Sequence, residues 1–188
     1  MRITWGVFAS CVVLVCSSLA FAQAGKGSER HTVTEVLNQG VSRAEDEFVS
    51  AADAMAEDKY SFAPSNGEFK GVRTFAQQVK HVAAVNYILG GAILGEKPAV
   101  DLGGENGPDA VASKADVMKF LKDSFAYAHK ALASVNEKNL VEPIKNPFGE
   151  SMVTRLGLSS LVAAHCMDHY GQVVEYLRMN GIVPPASR

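Results

Sequence analysis

The chain contains 188 residues, of which 47% are hydrophobic and 20% are charged, and its formal net charge is −2. This length corresponds to about one domain and is sufficient for an ordinary hydrophobic core. The slightly acidic balance argues against nucleic acid as a partner, because nucleic-acid-binding domains usually carry a basic patch.

The N-terminal segment has the pattern of a bacterial secretory signal peptide. Arg2 provides a positive start, residues 5–19 are almost uncharged and apolar, and Ala20-Phe21-Ala22 provides a cleavage-like site. The apolar run is shorter than the ~20 residues that a membrane-spanning helix needs. The sequence therefore predicts removal of residues 1–22, Sec-type export to the periplasm or the medium, and no stable membrane anchor.

The positions of the cysteines indicate that the domain is stabilised by its hydrophobic core and not by disulfide bonds. Cys11 and Cys16 lie in the predicted signal peptide, so Cys166 is alone in residues 23–188. No intramolecular disulfide is then available to the exported domain. We expect Cys166 to be a buried structural residue, because it lies about 100° around the helix from the histidines described below.

The first half of the domain predicts two helices. Apolar residues recur at spacings of three and four over about residues 31–57, which is typical of an amphipathic helix. Residues 60–71 contain Pro64, Gly67 and Gly71 and predict a loop. A second helix is predicted over about residues 74–94, where the Gly90-Gly91 pair indicates a bend or an early end.

The second half predicts two further helices with long connections. Ser113, followed three residues later by Asp116, begins a third helix whose apolar stripe continues to Val135. Residues 136–154 are irregular, with room for two short extended pieces. A fourth helix is predicted over about residues 156–179 and ends at Asn180-Gly181. The sequence predicts an all-α four-helix bundle, with long loops between helices 2 and 3 and between helices 3 and 4, in which a crossover connection is an alternative to simple up-down order.

Three histidines fall on predicted core-facing stripes. His165 and His169 are four residues apart on the last helix, so both imidazoles lie on one face, one turn apart. Two unpaired imidazoles in a core would be costly, and a divalent metal ion satisfies them well. His81 on the second helix is the natural third ligand, because bundle cores build metal sites from inward residues of facing helices.

The alternative is that the three histidines only share hydrogen bonds within the core. The second helix has no carboxylate near His81, and no nucleophile triad or phosphate-binding loop is present, so the catalytic residues are unknown. Gln172, one turn after His169, is predicted to orient a ligand ring or a water from outside the coordination shell. His31 and His129 are expected to be solvated.

These residues also carry a family resemblance. The segment from His165 through His169, Gly171 and Gln172 to the final Pro184-Pro185 resembles the end of DinB/YfiT-like proteins, the DinB superfamily. Tyr60 to Pro64, Arg73-Thr-Phe75 and His81 resemble an earlier and looser part of the same pattern, so that the similarity covers roughly residues 31–188.

The resemblance implies a four-helix bundle in which His81, His165 and His169 hold one divalent metal ion, most often zinc or nickel. Some relatives are thiol-dependent transferases or hydrolases, and relatives are often dimers, so a homodimer is one expectation. Export argues against thiol transfer, because low-molecular-weight thiol cofactors are mainly cytosolic. The leading hypothesis is a metal-dependent hydrolase or transferase that acts on an unidentified small molecule. The alternative is a non-catalytic periplasmic protein that binds a metal or a small ligand.

Overall fold

The computed structural model describes residues 30–188, and the predicted signal peptide lies outside the described residues. Four helices account for most of this part: α1 (Val33–Ala54), α2 (Phe75–Leu94), α3 (Lys114–Leu132) and α4 (Arg155–Met179). Each has a hydroxyl residue at its N-cap, Thr32, Thr74, Ser113 or Thr154, that accepts a hydrogen bond from the first turn. The predicted all-α bundle is confirmed, and the four helix boundaries agree closely with those predicted.

The helices run up, down, down and up around the bundle. Thr34 near the start of α1 contacts Val135 just beyond α3, whereas Lys114 at the start of α3 contacts Asp53 at the end of α1, so these two helices are antiparallel. By contrast, α2 and α3 are parallel. Asn86 contacts Ser124, and further along both helices Gly90 packs against Tyr127.

A crossover loop follows from the parallel arrangement of α2 and α3. The chain leaves α2 at Gly95, which has a left-handed backbone (φ 72°), and returns along α2 before α3 begins. Lys80 donates a hydrogen bond to the carbonyl of Pro108 at 2.9 Å, and Gly107 lies directly on the Lys80 side chain. A Cβ at Gly107 would come within 2.5 Å of the Lys80 Cβ, so only glycine allows this approach. The loop therefore lies beside the N-terminal half of α2.

The connection between α3 and α4 contains the two predicted extended pieces. They form an antiparallel hairpin of β1 (Pro143–Lys145) and β2 (Met152–Thr154), in which Ile144 pairs with Val153. No helix within residues 30–188 has both the length and the apolar character needed to cross a membrane.

Helix α2 continues through Gly90 and Gly91 to Leu94, the predicted end of the helix, and these glycines leave space for close packing of Tyr127 and of Pro98. One local prediction was wrong, because His129 is not simply solvated. Its ring nitrogens lie 2.6 Å from Asn38 Oδ1 and 3.0 Å from Glu45 Oε2, so it connects α3 to α1.

Candidate metal centre

The structure brings His81, His165 and His169 together between α2 and α4. The three ring centroids are 4.5–5.1 Å apart, and one candidate ligand nitrogen from each ring lies within 4.8 Å of the others. His81 and His169 are only 8% and 7% exposed, and His165 is partly buried. Because α2 and α4 pack against each other, two positions one helical turn apart on α4 and one position on α2 are sufficient to build this cluster.

The crossover loop orients the ring of His81. The Nδ1 atom of His81 lies 2.5 Å from the backbone carbonyl of Glu105, in the short 3₁₀ turn Gly104–Asn106. A carbonyl can only accept, so Nδ1 carries the proton and donates it. The Nε2 atom of His81 therefore presents a bare lone pair to the cluster.

A chain of side-chain hydrogen bonds orients the ring of His169. The carboxylate of Asp168 accepts from Gln172 Nε2 at 3.4 Å, Gln172 Oε1 accepts from Gln78 Nε2 at 2.9 Å, and Gln78 Oε1 accepts from His169 Nδ1 at 2.8 Å. Because the carboxylate can only accept, it fixes the direction of the whole chain. The Nε2 atom of His169 is then also unprotonated and faces the cluster.

These two bare nitrogens make the cluster suitable for a cation. The Nε2 atoms of His81 and His165 are 3.2 Å apart. Two imidazole nitrogens on one tetrahedral zinc ion, with bonds of about 2.0–2.1 Å, would be separated by about 3.3 Å. His165 can donate a proton to Nε2 of only one of the other two histidines. If the three rings shared only hydrogen bonds, the other Nε2 atom would have no partner. The residues present therefore fit a divalent metal ion.

Burial and mutual repulsion keep all three imidazoles neutral. Desolvation, with the charge of the neighbouring histidines, lowers the pKa of His165 to about 3. Desolvation likewise lowers the pKa of His169 to about 4 and also lowers the pKa of His81. The positive charge of Arg73 contributes to the lowered pKa of each ring. Neutral imidazole is the form that binds metal.

Among residues 30–188, the cluster contains no carboxylate or thiolate ligand. Three protein ligands leave at least one coordination position open on a four-coordinate ion, which is the pattern of catalytic rather than closed structural zinc sites. Cys166 is fully buried with its Sγ atom 3.7 Å from the carbonyl of Ala44 on α1. Burial raises the pKa of this thiol to about 12, so it is not an activated nucleophile.

Sequence reasoning missed two of the supporting residues. Gln172, which was predicted to orient a ligand ring or a water, accepts a hydrogen bond from Gln78, and Gln78 makes the contact with His169. Gln78 could have been found, because it is a polar residue one turn before His81 on the same apolar stripe. In the structure its side chain is buried. Glu105 could not, because its carbonyl reaches His81 only through the course of the crossover loop.

The sequence model of the DinB superfamily matches residues 41–173, which is more than half of the chain and includes all three histidines. The chain belongs to the DinB superfamily. A comparison with curated proteins finds no match.

Solved structures of DinB-like proteins share the fold of this DinB superfamily member. A DinB-like protein from Bacillus subtilis is 16% identical, with a TM-score of 0.58 over 78% of this chain and 92% of that one. A DinB-like protein from Bacillus cereus is 15% identical, with a TM-score of 0.63 over 79% and 93%. A conserved protein from Enterococcus faecalis is 19% identical, with a TM-score of 0.63 over 79% and 97%. At these identities the similarity shows the bundle alone.

Proposed function

We propose that this protein is an exported metal-dependent enzyme, a hydrolase or a transferase, that holds one divalent ion through His81, His165 and His169. The observation that carries the proposal is the pair of bare Nε2 atoms described above, each fixed by a hydrogen bond on the opposite side of its ring. Such support is typical of metal-ligating histidines. It orients the rings before an ion binds.

Nitrogen ligands favour zinc or nickel among the common divalent ions, since magnesium and calcium prefer oxygen. When bound, such an ion supplies Lewis acidity toward a carbonyl or phosphoryl oxygen and lowers the pKa of a coordinated water.

The protein's own groups have narrower roles in this proposal. The carbonyl of Glu105 and the amide of Gln78 hold the Nδ1 protons of His81 and His169 in place. Burial of the three rings lowers their pKa and keeps them neutral. No carboxylate within residues 30–188 joins the cluster as a general base, so proton transfer would fall to solvent or to the substrate itself.

The absence of a general base in the described cluster favours one competing function. A periplasmic protein that binds a metal or a small ligand without catalysis needs only the three histidines. There, the metal would join α2 to α4 and stabilise the bundle.

Two measurements test the proposal. Purified protein should contain or take up close to one equivalent of zinc or nickel, and His165→Ala should lose it. The reloaded protein should then be screened against esters, amides and phosphoesters, with His169→Ala as the inactive control. Hydrolysis that requires the metal and His169 supports an enzyme, whereas stoichiometric metal without turnover supports the binding protein. Protein that takes up no metal after reloading refutes both.

Export and assembly are separate parts of the proposal. N-terminal sequencing of protein from the bacterial periplasm should begin at Gln23, one residue after the predicted cleavage site. An N-terminus at Met1 in the cytosolic fraction would refute export. The family resemblance favours a homodimer, which sedimentation would distinguish from a monomer.

A further inference from the structure

The 3₁₀ turn Gly104–Asn106, whose Glu105 carbonyl accepts the Nδ1 proton of His81, is exposed to solvent. Three glycines within or beside the turn have positive φ angles, namely Gly103, Gly104 and Gly107. Glycine loses more conformational freedom on folding than any other residue, so an ordered turn of this composition depends on contacts with the rest of the domain. The orientation of the His81 ring therefore depends on the residues that hold this turn.

Arg73, which precedes the N-cap of α2, forms hydrogen bonds with two adjacent residues of the turn. Its Nε atom donates to Asn106 Oδ1 at 2.9 Å, and a terminal nitrogen donates to Glu105 Oε2 at 3.2 Å. Apart from His81, no other side chain in residues 30–188 forms a hydrogen bond with this turn. Because a guanidinium is planar and rigid, two bonds from it fix the direction of the turn as well as its position.

The backbone of Arg73 is itself held by α4. Its carbonyl accepts a hydrogen bond at 3.0 Å from the hydroxyl of Tyr176, which lies on the same helix as His165 and His169. The Tyr176 side chain is buried, and its ring packs edge-on against Phe62 with the ring centroids 5.7 Å apart. Arg73 therefore connects the turn that orients one candidate ligand to the helix that carries the other two.

The charge of Arg73 does not explain its place beside a cation site. Desolvation lowers the pKa of each of the three imidazoles, and the positive charge of Arg73 lowers it further. The same charge repels a divalent cation, so by itself it opposes metal binding. The hydrogen bonds of Arg73 to the turn are the contribution that favours the centre.

We propose that Arg73 is a positioning residue of the metal centre, which holds the Glu105 carbonyl against His81 and so keeps the Nε2 atom of His81 free for the ion. Arg73 acts through the turn and through His81 and is not itself a ligand. This inference rests on the proposed function, because it identifies the contact that regulates how tightly the same centre holds its ion.

The positions of the ring protons test the proposal in the full-length, metal-free protein. Nitrogen–proton NMR of isotope-labelled protein at neutral pH shows whether each neutral imidazole carries its proton on Nδ1 or on Nε2. In the wild type, His81 and His169 should both carry it on Nδ1. Arg73→Lys keeps the charge but loses the planar pair of donors, so a second form of His81 with the proton on Nε2 should appear. His169 should stay unchanged, because Gln78 holds its proton.

Zinc affinity, measured by competition with a chelator, provides a second readout. Arg73→Lys and Arg73→Met should both bind zinc about three- to tenfold more weakly, which is less than the loss of about 10- to 100-fold that is typical when a ligand loses its own partner. A role through charge alone predicts the opposite: tighter binding by Arg73→Met and no change in Arg73→Lys. Arg43→Lys, in an exposed ion pair on α1, is the matched control and should change neither readout.

The outcomes separate this inference from the proposed function. If Arg73→Lys keeps the wild-type proton positions at His81, or if Arg73→Met binds zinc as tightly as the wild type or more tightly, the positioning role is refuted and the metal centre stands. An equal change at His169 would mean that Arg73 supports the whole bundle, which also refutes the specific role. If the wild type takes up no zinc, the proposed function fails, and the proton positions in the metal-free protein still show whether Arg73 orients His81.

Discussion

Replacement of Gln78 by leucine tests whether the hydrogen-bond chain supports a metal ligand. Gln78 is buried, and its Oε1 atom is the acceptor for His169 Nδ1. Leucine has a similar size but no acceptor, so the Nδ1 proton would be left without a partner, which costs about 1–3 kcal/mol. Loss of such an outer contact typically weakens metal binding about 10- to 100-fold, equivalent to about 1.4–2.8 kcal/mol.

Competition against a chromophoric chelator at neutral pH measures this loss of zinc affinity. Gln77→Leu is the matched control, because Gln77 is the neighbouring glutamine and its Oε1 atom accepts from the Thr74 backbone rather than from a histidine. The control should lose some stability at the helix start but stay within about twofold of the wild-type affinity, since it leaves every contact of the three rings intact. If Gln78→Leu binds zinc as tightly as the wild type, the chain from Asp168 to His169 does not support the centre.

Three further predictions follow from burial and hydrogen bonding. The pKa of His165 is lowered to about 3 and that of His169 to about 4, against 6.5 for an unperturbed histidine. Between those values the unfolded chain binds more protons, so the metal-free protein should lose stability as pH falls from about 6.5 to about 4, by up to ~1.4 kcal/mol per pH unit for each histidine. The free energy of unfolding, measured with urea at several pH values in this range, should depend less steeply on pH for His169→Gln than for the wild type. An equal dependence on pH in the two proteins would contradict the argument. In a chain that begins at residue 23, Cys166 should react with a thiol reagent only on unfolding, because it is buried and its thiol pKa is raised to about 12. Ser160→Cys, at an exposed position of α4, should be labelled at once, and rapid labelling of Cys166 itself would show that the core is open. Lys80→Met keeps the buried aliphatic stem but removes the bond to the Pro108 carbonyl, so it should lower the free energy of unfolding by about 1–2 kcal/mol and speed proteolysis within residues 101–108, with exposed Lys97→Met as the control.

The bundle and its helix boundaries could be predicted because they depend on residues that are close together in the sequence. A hydroxyl residue at the N-cap marks where each helix begins, Gly95 and Asn180-Gly181 mark where α2 and α4 end, and the apolar spacing determines which face is buried. The four-residue spacing of His165 and His169 likewise required only helical geometry. The Gly90-Gly91 pair left an early end of α2 open, because a glycine that makes room for a neighbouring side chain looks the same in sequence as one that ends a helix.

The outer contacts of the centre depend on the path of the chain. The prediction identified Gln172 from its position one turn after His169, but the amide that contacts the ring belongs to the facing helix at Gln78. Periodicity gives the face of a helix but not its rotation or register against a partner helix. A backbone contact such as that of the Glu105 carbonyl leaves no residue-type signal, because any amino acid has a carbonyl.

The crossover connects these observations. Because α2 and α3 are parallel, the segment between them must return along α2, and that return places the 3₁₀ turn Gly104–Asn106 against His81. In a simple up-down bundle, α3 would start near the end of α2, and the Nδ1 atom of His81 would lack this acceptor. One residue of the turn, Glu105, supplies both the carbonyl that orients His81 and the carboxylate that pairs with Arg73. A change in the length of this loop would therefore alter both the orientation of His81 and the position of the Glu105 carboxylate. A change in the hairpin of β1 and β2, which lies at the C-terminal end of α2, would leave both intact.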